Sequence, residues 1–182
     1  MRITGGVLGG RRVNVPGGVI RPAMDRMRES IFAILGDLSG KSFLDLFSGS
    51  GIIALEAASR GAGYLEAVEM DPLKRKTLLE NIKMSPVRIH CRFMSAELYV
   101  KRAKRVKDAR AFDYIFLDPP FPYRHRNDLA GAIAQSPLMA ESSLVLLHLP
   151  RENRRDPPPG RLVLVDSREY GRSVVNFYSF LP

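Results

Sequence analysis

Leu44-Asp45-Leu46-Phe47-Ser48-Gly49-Ser50-Gly51 is the stretch of the sequence that decides the fold. An apolar run ends here in a turn of small residues, and a helical pattern begins directly after it. Glycines let the backbone approach a ligand without an intervening Cβ, and the first turn of the following helix has free N–H groups. This order predicts a ligand-binding edge of an α/β sheet.

On both sides of this turn the sequence alternates between short apolar runs and stretches with helical periodicity. Helices are predicted over residues 52–60, 72–84 and 96–107, and another is predicted to begin with Asp25 as its N-cap and to end at Gly36. Strands are predicted over residues 42–47, 64–68, 87–91, 112–117 and 144–149, with a closing antiparallel pair over 161–165 and 174–180. This order predicts an α/β fold with a doubly wound sheet.

Two segments depart from the alternation of strands and helices, one at the N-terminus and one near the C-terminus. Residues 1–20 are rich in glycine with interspersed Ile and Val, which predicts a small N-terminal β-hairpin or extended arm. Residues 21–182 are then one domain, a normal size for a single core. Residues 151–160 contain three prolines and three arginines and are predicted to form an exposed loop.

The composition indicates which class of partner the protein binds and in which cellular compartment it is found. The 182 residues contain 28 Lys and Arg against 19 Asp and Glu, a net charge of +9. This excess favours a polyanionic partner, because each neutralised phosphate releases a counterion, although proteins that bind no nucleic acid can also be basic. Cys91 is the single cysteine, no apolar run has the length of a membrane helix, and residues 1–6 do not resemble a secretory signal. A cytoplasmic protein is predicted.

Two kinds of ligand are compatible with the glycine turn. Gly49-x-Gly51-x-x-Ala54 matches the dinucleotide-binding pattern, with Glu69 placed to hold a ribose. S-adenosylmethionine also has a ribose, but its amino group and sulfonium are positive. Asp45, at the strand end, would repel a pyrophosphate and attract an ammonium group, which favours the methyl donor. A purely structural turn, with Asp45 as a helix cap, is the third interpretation.

Asp118-Pro119-Pro120-Phe121 follows another apolar run directly. Two prolines fix the backbone and remove two N–H donors. The Asp118 carboxylate and the Pro119 carbonyl can then accept hydrogen bonds from an exocyclic amine of a planar base, while Phe121 stacks on the base. A proline-rich strand exit with a buried Phe is the structural alternative. Because both segments follow parallel strands, they are expected at the same edge of the sheet.

These segments, in order and spacing, resemble the bacterial 16S ribosomal RNA guanine-N2 methyltransferases, the RsmD family. The resemblance also includes Arg2-Ile3-Thr4-Gly5-Gly6, Val68-Glu69-Met70-Asp71 and the block from Arg21 to Phe32, and it covers almost the whole chain. It implies a seven-stranded methyltransferase sheet, S-adenosylmethionine as donor and guanine N2 of 16S ribosomal RNA as acceptor. The substrate is then RNA within the small ribosomal subunit, and the protein is expected to be a monomer.

By this resemblance, Asp118, Pro119, Pro120 and Phe121 hold the target guanine. Glu69 takes the ribose hydroxyls, and Met70 packs near the adenine. The full set of expected donor-binding residues is Asp45, Phe47, Ser48, Gly49, Ser50, Gly51, Glu69, Met70, Ser95 and Ala96. Two departures stand out, because Ser95 replaces the Asn or Asp that the family commonly has, and His148-Leu149-Pro150-Arg151 replaces an acidic segment. No role is assigned to the second.

Basic residues supply candidate RNA contacts. The arm and the first helix carry Arg2, Arg11, Arg12, Arg21 and Arg28, which are expected to face RNA, unless some pair with Asp25 or Glu29 or are simply solvated. The basic run from Lys101 to Lys107 is either a solvated helix face or a second RNA surface. The three histidines are scattered and do not have metal-ligand spacing, so no metal is expected.

Three rival functions are compatible with parts of the pattern. A methyltransferase for adenine N6 or cytosine N4 would use the same Asp-Pro-Pro-Phe chemistry, but the N-terminal block argues against it. A nicotinamide-dependent oxidoreductase would use the glycine turn, but Asp45 argues against it. A non-catalytic RNA-binding assembly factor would need neither Asp118 nor the glycine turn.

Overall fold

The computed structural model describes residues 1–15, 22–154 and 159–180. A single sheet forms its centre, and helices flank it. The strands are β1 (Ser42–Leu46), β2 (Tyr64–Val68), β3 (Ile89–Arg92), β4 (Tyr114–Leu117), β5 (Leu144–Pro150), β6 (Leu162–Tyr170) and β7 (Ser173–Phe180). The helices are α1 (Pro22–Leu35), α2 (Ile52–Ser59), α3 (Pro72–Asn81), α4 (Ala96–Ala103) and α5 (Arg126–Ala134).

The sheet has seven strands in the order β3-β2-β1-β4-β5-β7-β6. The first five strands run parallel, whereas β7 lies antiparallel between β5 and β6. Alternate side chains of β4 enter two separate cores: Phe116 packs with α1 and α2, while Ile115 and Leu117 pack with α4 and α5. Since side chains of a strand alternate between its faces, helices cover both faces, and the predicted doubly wound seven-stranded fold is confirmed.

Most predicted elements exist, and one strand was predicted at its observed bounds, namely β2. The predicted helix start at Asp25 is wrong, because α1 begins at Pro22 and Asp25 lies inside its first turn. Proline is favoured there, since the first turn needs no N–H donor. The predicted helix over 96–107 ends early, at Ala103. Val106 beyond it is 55% exposed, so a further turn would bury little apolar surface.

Helix α5 was not predicted from the sequence. Its segment contains Asp128 and Gly131, which weaken the helical pattern, and its apolar residues are mostly small. Leu129 and Ile133 are nevertheless buried in the same core as β4, so tertiary packing decides the structure here. Arg124 and His125 therefore belong to the short connection before α5, with His125 at the helix N-cap.

The ends of other elements also shift. The third strand begins two residues later than predicted and reaches Arg92, and β6 is longer than predicted and reaches Tyr170. The third helix ends at Asn81 and continues as a 3-10 turn over Ile82–Met84. The predicted loop 151–160 starts with another 3-10 turn, Arg151–Asn153. No helix in the described ranges has the length and apolar character to cross a membrane.

The N-terminal segment packs on α2. Arg2 and Arg12 form an antiparallel bridge, and Val13 N–H donates to the Met1 carbonyl, as expected for a small hairpin. Gly6 has φ +74, and a Cβ there would lie 2.0 Å from the Ser59 carbonyl oxygen, so this close approach requires glycine. The division into an arm over 1–20 and a domain over 21–182 stays a prediction, because residues 16–21 lie outside the described ranges.

A buried carboxylate joins the arm, α1 and α2. Glu56 accepts hydrogen bonds from the Thr4 N–H and hydroxyl, and it forms ion pairs with Arg28 and Arg60. The Arg28 guanidinium is only 1% exposed and also pairs with Asp25. The prediction that Arg28 faces RNA is wrong, because this side chain is used inside the protein to neutralise Glu56.

Replacing Glu56 with alanine is expected to lower the free energy of unfolding by about 3–5 kcal/mol, because Arg28 and Arg60 lose the carboxylate that neutralises them. Chemical denaturation monitored by circular dichroism measures this change. Glu80→Ala, an exposed position on α3, is the control and should change the free energy of unfolding by less than about 0.5 kcal/mol. Equal stabilities of the two variants would show that the network contributes little.

Candidate active site

The carboxyl ends of β1, β2 and β4 border a cleft of about 980 Å³. The glycine turn forms its floor, and the Asp118–Phe121 loop forms one wall. Met1, Val15 and Met24 close it from the side of the arm and α1. A deeper recess under the turn adjoins it and is lined by Asp45, Phe47, Ser48, Gly49, Ser50, Ile52 and Asp118, among others. The structure thus brings the two predicted segments together.

The turn after β1 has an unusual backbone. Phe47, Gly49 and Gly51 have φ values of 65, 57 and 81, so three of five consecutive residues are left-handed. A Cβ at Gly51 would lie 2.6 Å from Leu78 Cδ1, whereas at Gly49 only the Phe47 carbonyl oxygen comes within 4 Å. Gly51 is therefore required for packing against α3, while the missing Cβ of Gly49 leaves the cleft side open.

Asp45 is buried at the base of the recess. Its Oδ2 accepts hydrogen bonds from the Ser48 hydroxyl (2.6 Å) and the Ala54 N–H (3.2 Å). Its Oδ1 is buried with no partner among the described residues. Desolvation raises the pKa of Asp45 to about 7, with smaller contributions from the negative charges of Asp118 and Glu69, and the hydrogen bonds oppose this rise. A buried acceptor without a donor is suited to a cationic ligand group.

Glu69 lies at the end of β2 and shapes the same cleft. Its Oε2 accepts from the Gly49 N–H (2.7 Å), and its Oε1 accepts from the Asp71 N–H (2.8 Å). Next to it Met70 is 63% exposed and lines the cleft. The Lys74 ammonium lies 3.8 Å from Glu69. The carboxylate thereby fixes the turn, and an apolar side chain lies beside it.

The Asp118–Phe121 loop is held from behind by α5. Arg126 donates to the Phe121 carbonyl (2.6 Å) and to Asn153 Oδ1 (2.8 Å), and the Tyr123 N–H donates to the Pro120 carbonyl. Phe121 itself is 36% exposed, so its ring is available to a ligand. The helix that was not predicted from the sequence therefore supplies the residue that fixes this loop.

Two further side chains at the site were not predicted. His148, at the carboxyl end of β5, places Nδ1 2.6 Å from Asp118 Oδ1. Tyr123 stacks edge-on against Phe47 at 5.4 Å between ring centroids and hydrogen-bonds Glu97. For His148 a signal was present in the sequence, because β5 follows β4 in the predicted sheet and its carboxyl end reaches the same edge.

Some predicted site residues lie elsewhere. Ser95 caps α4 by accepting from the Leu98 N–H, and Ala96 is buried; neither lines the cleft. Arg2, Arg11 and Arg12 are exposed on the arm, and Arg21 lies outside the described residues. Within residues 1–15, 22–154 and 159–180, no cluster of three or more His, Cys, Asp or Glu residues could hold a metal ion.

The family model described as Conserved hypothetical protein 95 matches residues 1–179. The chain belongs to this family. It is 32% identical to the Bacillus subtilis protein named "Putative rRNA methyltransferase YlbH", over 98% of each chain. It is 27% identical to the Escherichia coli "Ribosomal RNA small subunit methyltransferase D", over 98% of this chain and 89% of the relative. The resemblance seen in the sequence is confirmed at the level of the family.

Solved structures agree with this assignment. The Escherichia coli structure described as "Putative methyltransferase yhhF" superimposes with a TM-score of 0.82 at 26% identity, covering 99% of this chain and 97% of that one. A Streptococcus mutans structure described as "A putative sam-dependent methyltransferase" shares the fold alone, with a TM-score of 0.68 at 16% identity, over 88% of this chain and 49% of that one. Because the two sequence relatives are named as methyltransferases, the similarity disfavours the oxidoreductase interpretation of the glycine turn.

The raised pKa of Asp45 predicts a pH-dependent stability. In the folded protein the carboxyl keeps its proton up to about pH 7, whereas the unfolded chain loses it near 3.8. Between these values the folded state binds more protons, so the free energy of unfolding falls as pH rises from about 4 to 7, and this contribution levels off above 7. Asp45→Asn should flatten this part of the curve.

Urea unfolding at a series of pH values between about 5 and 8 measures this effect. Asp108→Asn, which removes an exposed carboxylate, is the control and should keep the wild-type dependence. An Asp45→Asn curve that runs parallel to the wild-type curve would contradict the assignment.

Proposed function

We propose that the protein transfers a methyl group from S-adenosylmethionine to the exocyclic N2 amine of a guanine in small-subunit ribosomal RNA. One observation carries the proposal: a buried, unpartnered carboxylate oxygen of Asp45 lies in a recess that adjoins the cleft bordered by the Asp118–Phe121 loop. The Asp45 oxygen is suited to a cationic methyl donor, and the Asp118–Phe121 loop is suited to a base with an exocyclic amine. The names of the two relatives support ribosomal RNA as substrate.

The residues of the cleft fit the donor group by group. Asp45 Oδ1 would accept from the α-ammonium group, which provides the missing hydrogen bond and favours the ionised carboxylate. Glu69 would accept from the ribose hydroxyls with the lone pairs that the backbone N–H groups leave free. Exposed Met70 would cover the adenine. Ser95 and Ala96, adjacent to cleft residue Glu97, stay a prediction as adenine contacts.

Bound S-adenosylmethionine supplies an electrophilic methyl group on a sulfonium. The chain must then place the amine in line with it, because the amine lone pair is delocalised into the base and is a weak nucleophile. The Asp118 carboxylate and the Pro119 carbonyl would accept the two N–H bonds and aim the nitrogen. As the N–C bond forms and the methyl–sulfur bond breaks, nitrogen becomes positive and the negative charge of Asp118 stabilises it. The methylated nitrogen is then strongly acidic and releases one N–H proton to water. Phe121 would stack on the base at the cleft mouth.

The arm is the best candidate for RNA contact. Met1 and Val15 of the arm line the cleft, and Arg2, Arg11 and Arg12 are exposed on the same segment. These arginines would then lie beside the entry of the base. The charge distribution supports this role, since the cleft is lined by the carboxylates of Glu69, Asp71, Glu97 and Asp118, which repel phosphates. RNA would then be held at the rim, and the base alone would enter.

The decisive experiment incubates the protein with isotopically labelled S-adenosylmethionine and small ribosomal subunits that lack native methylation. Digestion of the RNA and mass spectrometry should give labelled N2-methylguanosine. Asp118→Ala should lower the rate about 100-fold or more, while donor binding measured by calorimetry survives, because the proposal assigns the base to Asp118 and the donor to Asp45 and Glu69. Asp108→Ala, at an exposed site, should retain full activity.

Each alternative gives a different result. Labelled N6-methyladenosine or N4-methylcytidine would show that the target base is adenine or cytosine and not guanine, with the proposed mechanism unchanged. Binding of the donor and the subunit with no incorporated label would favour an assembly factor. Near-normal turnover by Asp118→Ala would show that the proposed base pocket is wrong.

The arm predicts a salt-dependent contribution to RNA affinity. Arg11→Gln combined with Arg12→Gln should weaken RNA binding and reduce the slope of log affinity against log salt by about 1–2, because each lost phosphate contact releases roughly one counterion fewer. Binding to small subunits at several salt concentrations measures this slope. The control is Arg88→Gln with Arg161→Gln, an equal charge change at exposed positions that directly precede β3 and β6, at the amino ends of these strands and away from the cleft. Equal slopes for the two variants would exclude the arm as the RNA contact.

A further inference from the structure

His148 forms a buried pair with Asp118. The histidine is 3% exposed, its Nδ1 lies 2.6 Å from Asp118 Oδ1, and its ring meets that of Phe121 edge-on at 5.6 Å between centroids. It therefore contacts both side chains to which the proposed function gives a role in holding the base. It lines the cleft as well.

The sheet fixes this pair. Leu117 of β4 and Leu147 of β5 are register partners in the parallel ladder, so the next residues, Asp118 and His148, are neighbours on adjacent strands. On its other side β5 pairs with β7, where Val175 is the partner of His148. The backbone at His148 is thus held by strands on both sides, and it cannot shift without disturbing the sheet.

The hydrogen-bonding pattern selects one tautomer. Nε2 of His148 is buried and has no partner among the described residues. A buried N–H without an acceptor is rarer and costlier in proteins than an acceptor without a donor, so Nε2 is best left without a proton. Neutral His148 then carries its proton on Nδ1 and donates it to Asp118 Oδ1.

One oxygen of Asp118 is thereby engaged and the other is left available. Within the described ranges Oδ2 of Asp118 has no hydrogen-bond partner, and the side chain is 28% exposed to the cleft. A carboxylate held through one oxygen has a fixed rotamer, and its second oxygen has a defined direction. An exocyclic amine needs such an acceptor, because its weak lone pair must be aimed.

We propose that His148 is a positioning residue, which holds Asp118 through Nδ1 so that Oδ2 receives the amine of the target base, and which supports the Phe121 ring with its edge. This inference rests on the proposed function. It assigns a role to the fifth-strand segment in which the chain departs from the family pattern. Among the described residues His148 forms no hydrogen bond with Asp45 or Glu69, so we expect its effect to be confined to the base.

A pair of substitutions tests the role. Asparagine at position 148 can place an amide N–H close to the position of Nδ1, whereas leucine fills the strand and has no donor. The assay is the methylation of small subunits, with kcat and the KM for S-adenosylmethionine measured separately. His148→Leu should lower kcat about 10–100-fold, the size expected for a misplaced reacting group, with the KM for the donor unchanged. His148→Asn should restore most of the lost kcat.

The outcomes separate this inference from the proposed function. If the wild-type protein methylates no RNA base, the proposed function fails before the variants are compared. An active wild-type protein with a fully active His148→Leu variant would overturn the inference alone. Equal loss of kcat in both variants, with donor binding and thermal stability intact, would also overturn it, because the donated hydrogen bond would then not be the decisive feature.

Discussion

The parallel register of β1 with β2 and β4 is the constraint on which the site depends. Leu46 is paired with Val68 on one side and with Leu117 on the other, so the three strands end at one level. The next residues along each strand are therefore Phe47, Glu69 and Asp118, and the backbone ladder alone brings them to one edge. A slip of one residue would point their side chains to the opposite faces. The positions of the other side chains that line the cleft depend on this alignment of the three strands.

The charges of the molecule are divided between the cleft and the surface. The chain as a whole has a charge of +9, but the cleft and its adjoining recess hold Asp45, Glu69 and Asp118. The negative charges of Asp118 and Glu69 contribute to the raised pKa of Asp45. An acidic interior in a basic protein discriminates between parts of a ligand. It attracts a cationic donor and an amine, while phosphates remain at the basic periphery.

The sequence allowed the sheet, the glycine turn and the Asp118–Phe121 loop to be predicted, because each depends on local signals. A continuous apolar run predicts a buried strand without reference to other segments. Glycine and proline restrict the backbone conformation at their own positions, so they predict the turn and the loop. Helix α5, the burial of Arg28 and the His148–Asp118 pair were not predictable in this way. Each depends on contacts between distant segments, namely the packing of Leu129 and Ile133, the carboxylate of Glu56, and the neighbourhood of β4 and β5. Arg28 in particular has the charge of a surface residue, and only its partner shows that it is internal.

Phe47 is the one described residue other than glycine with a positive φ. A side chain in this region of backbone space costs on the order of 1 kcal/mol or more relative to glycine, and the chain places an aromatic ring there, in the wall of the cleft and in contact with Tyr123. Glycine would relax the turn but would remove that ring. The cleft is consequently a place where the protein is less stable than another sequence could make it, and attempts to raise its thermal stability at this turn would be expected to reduce its capacity to bind.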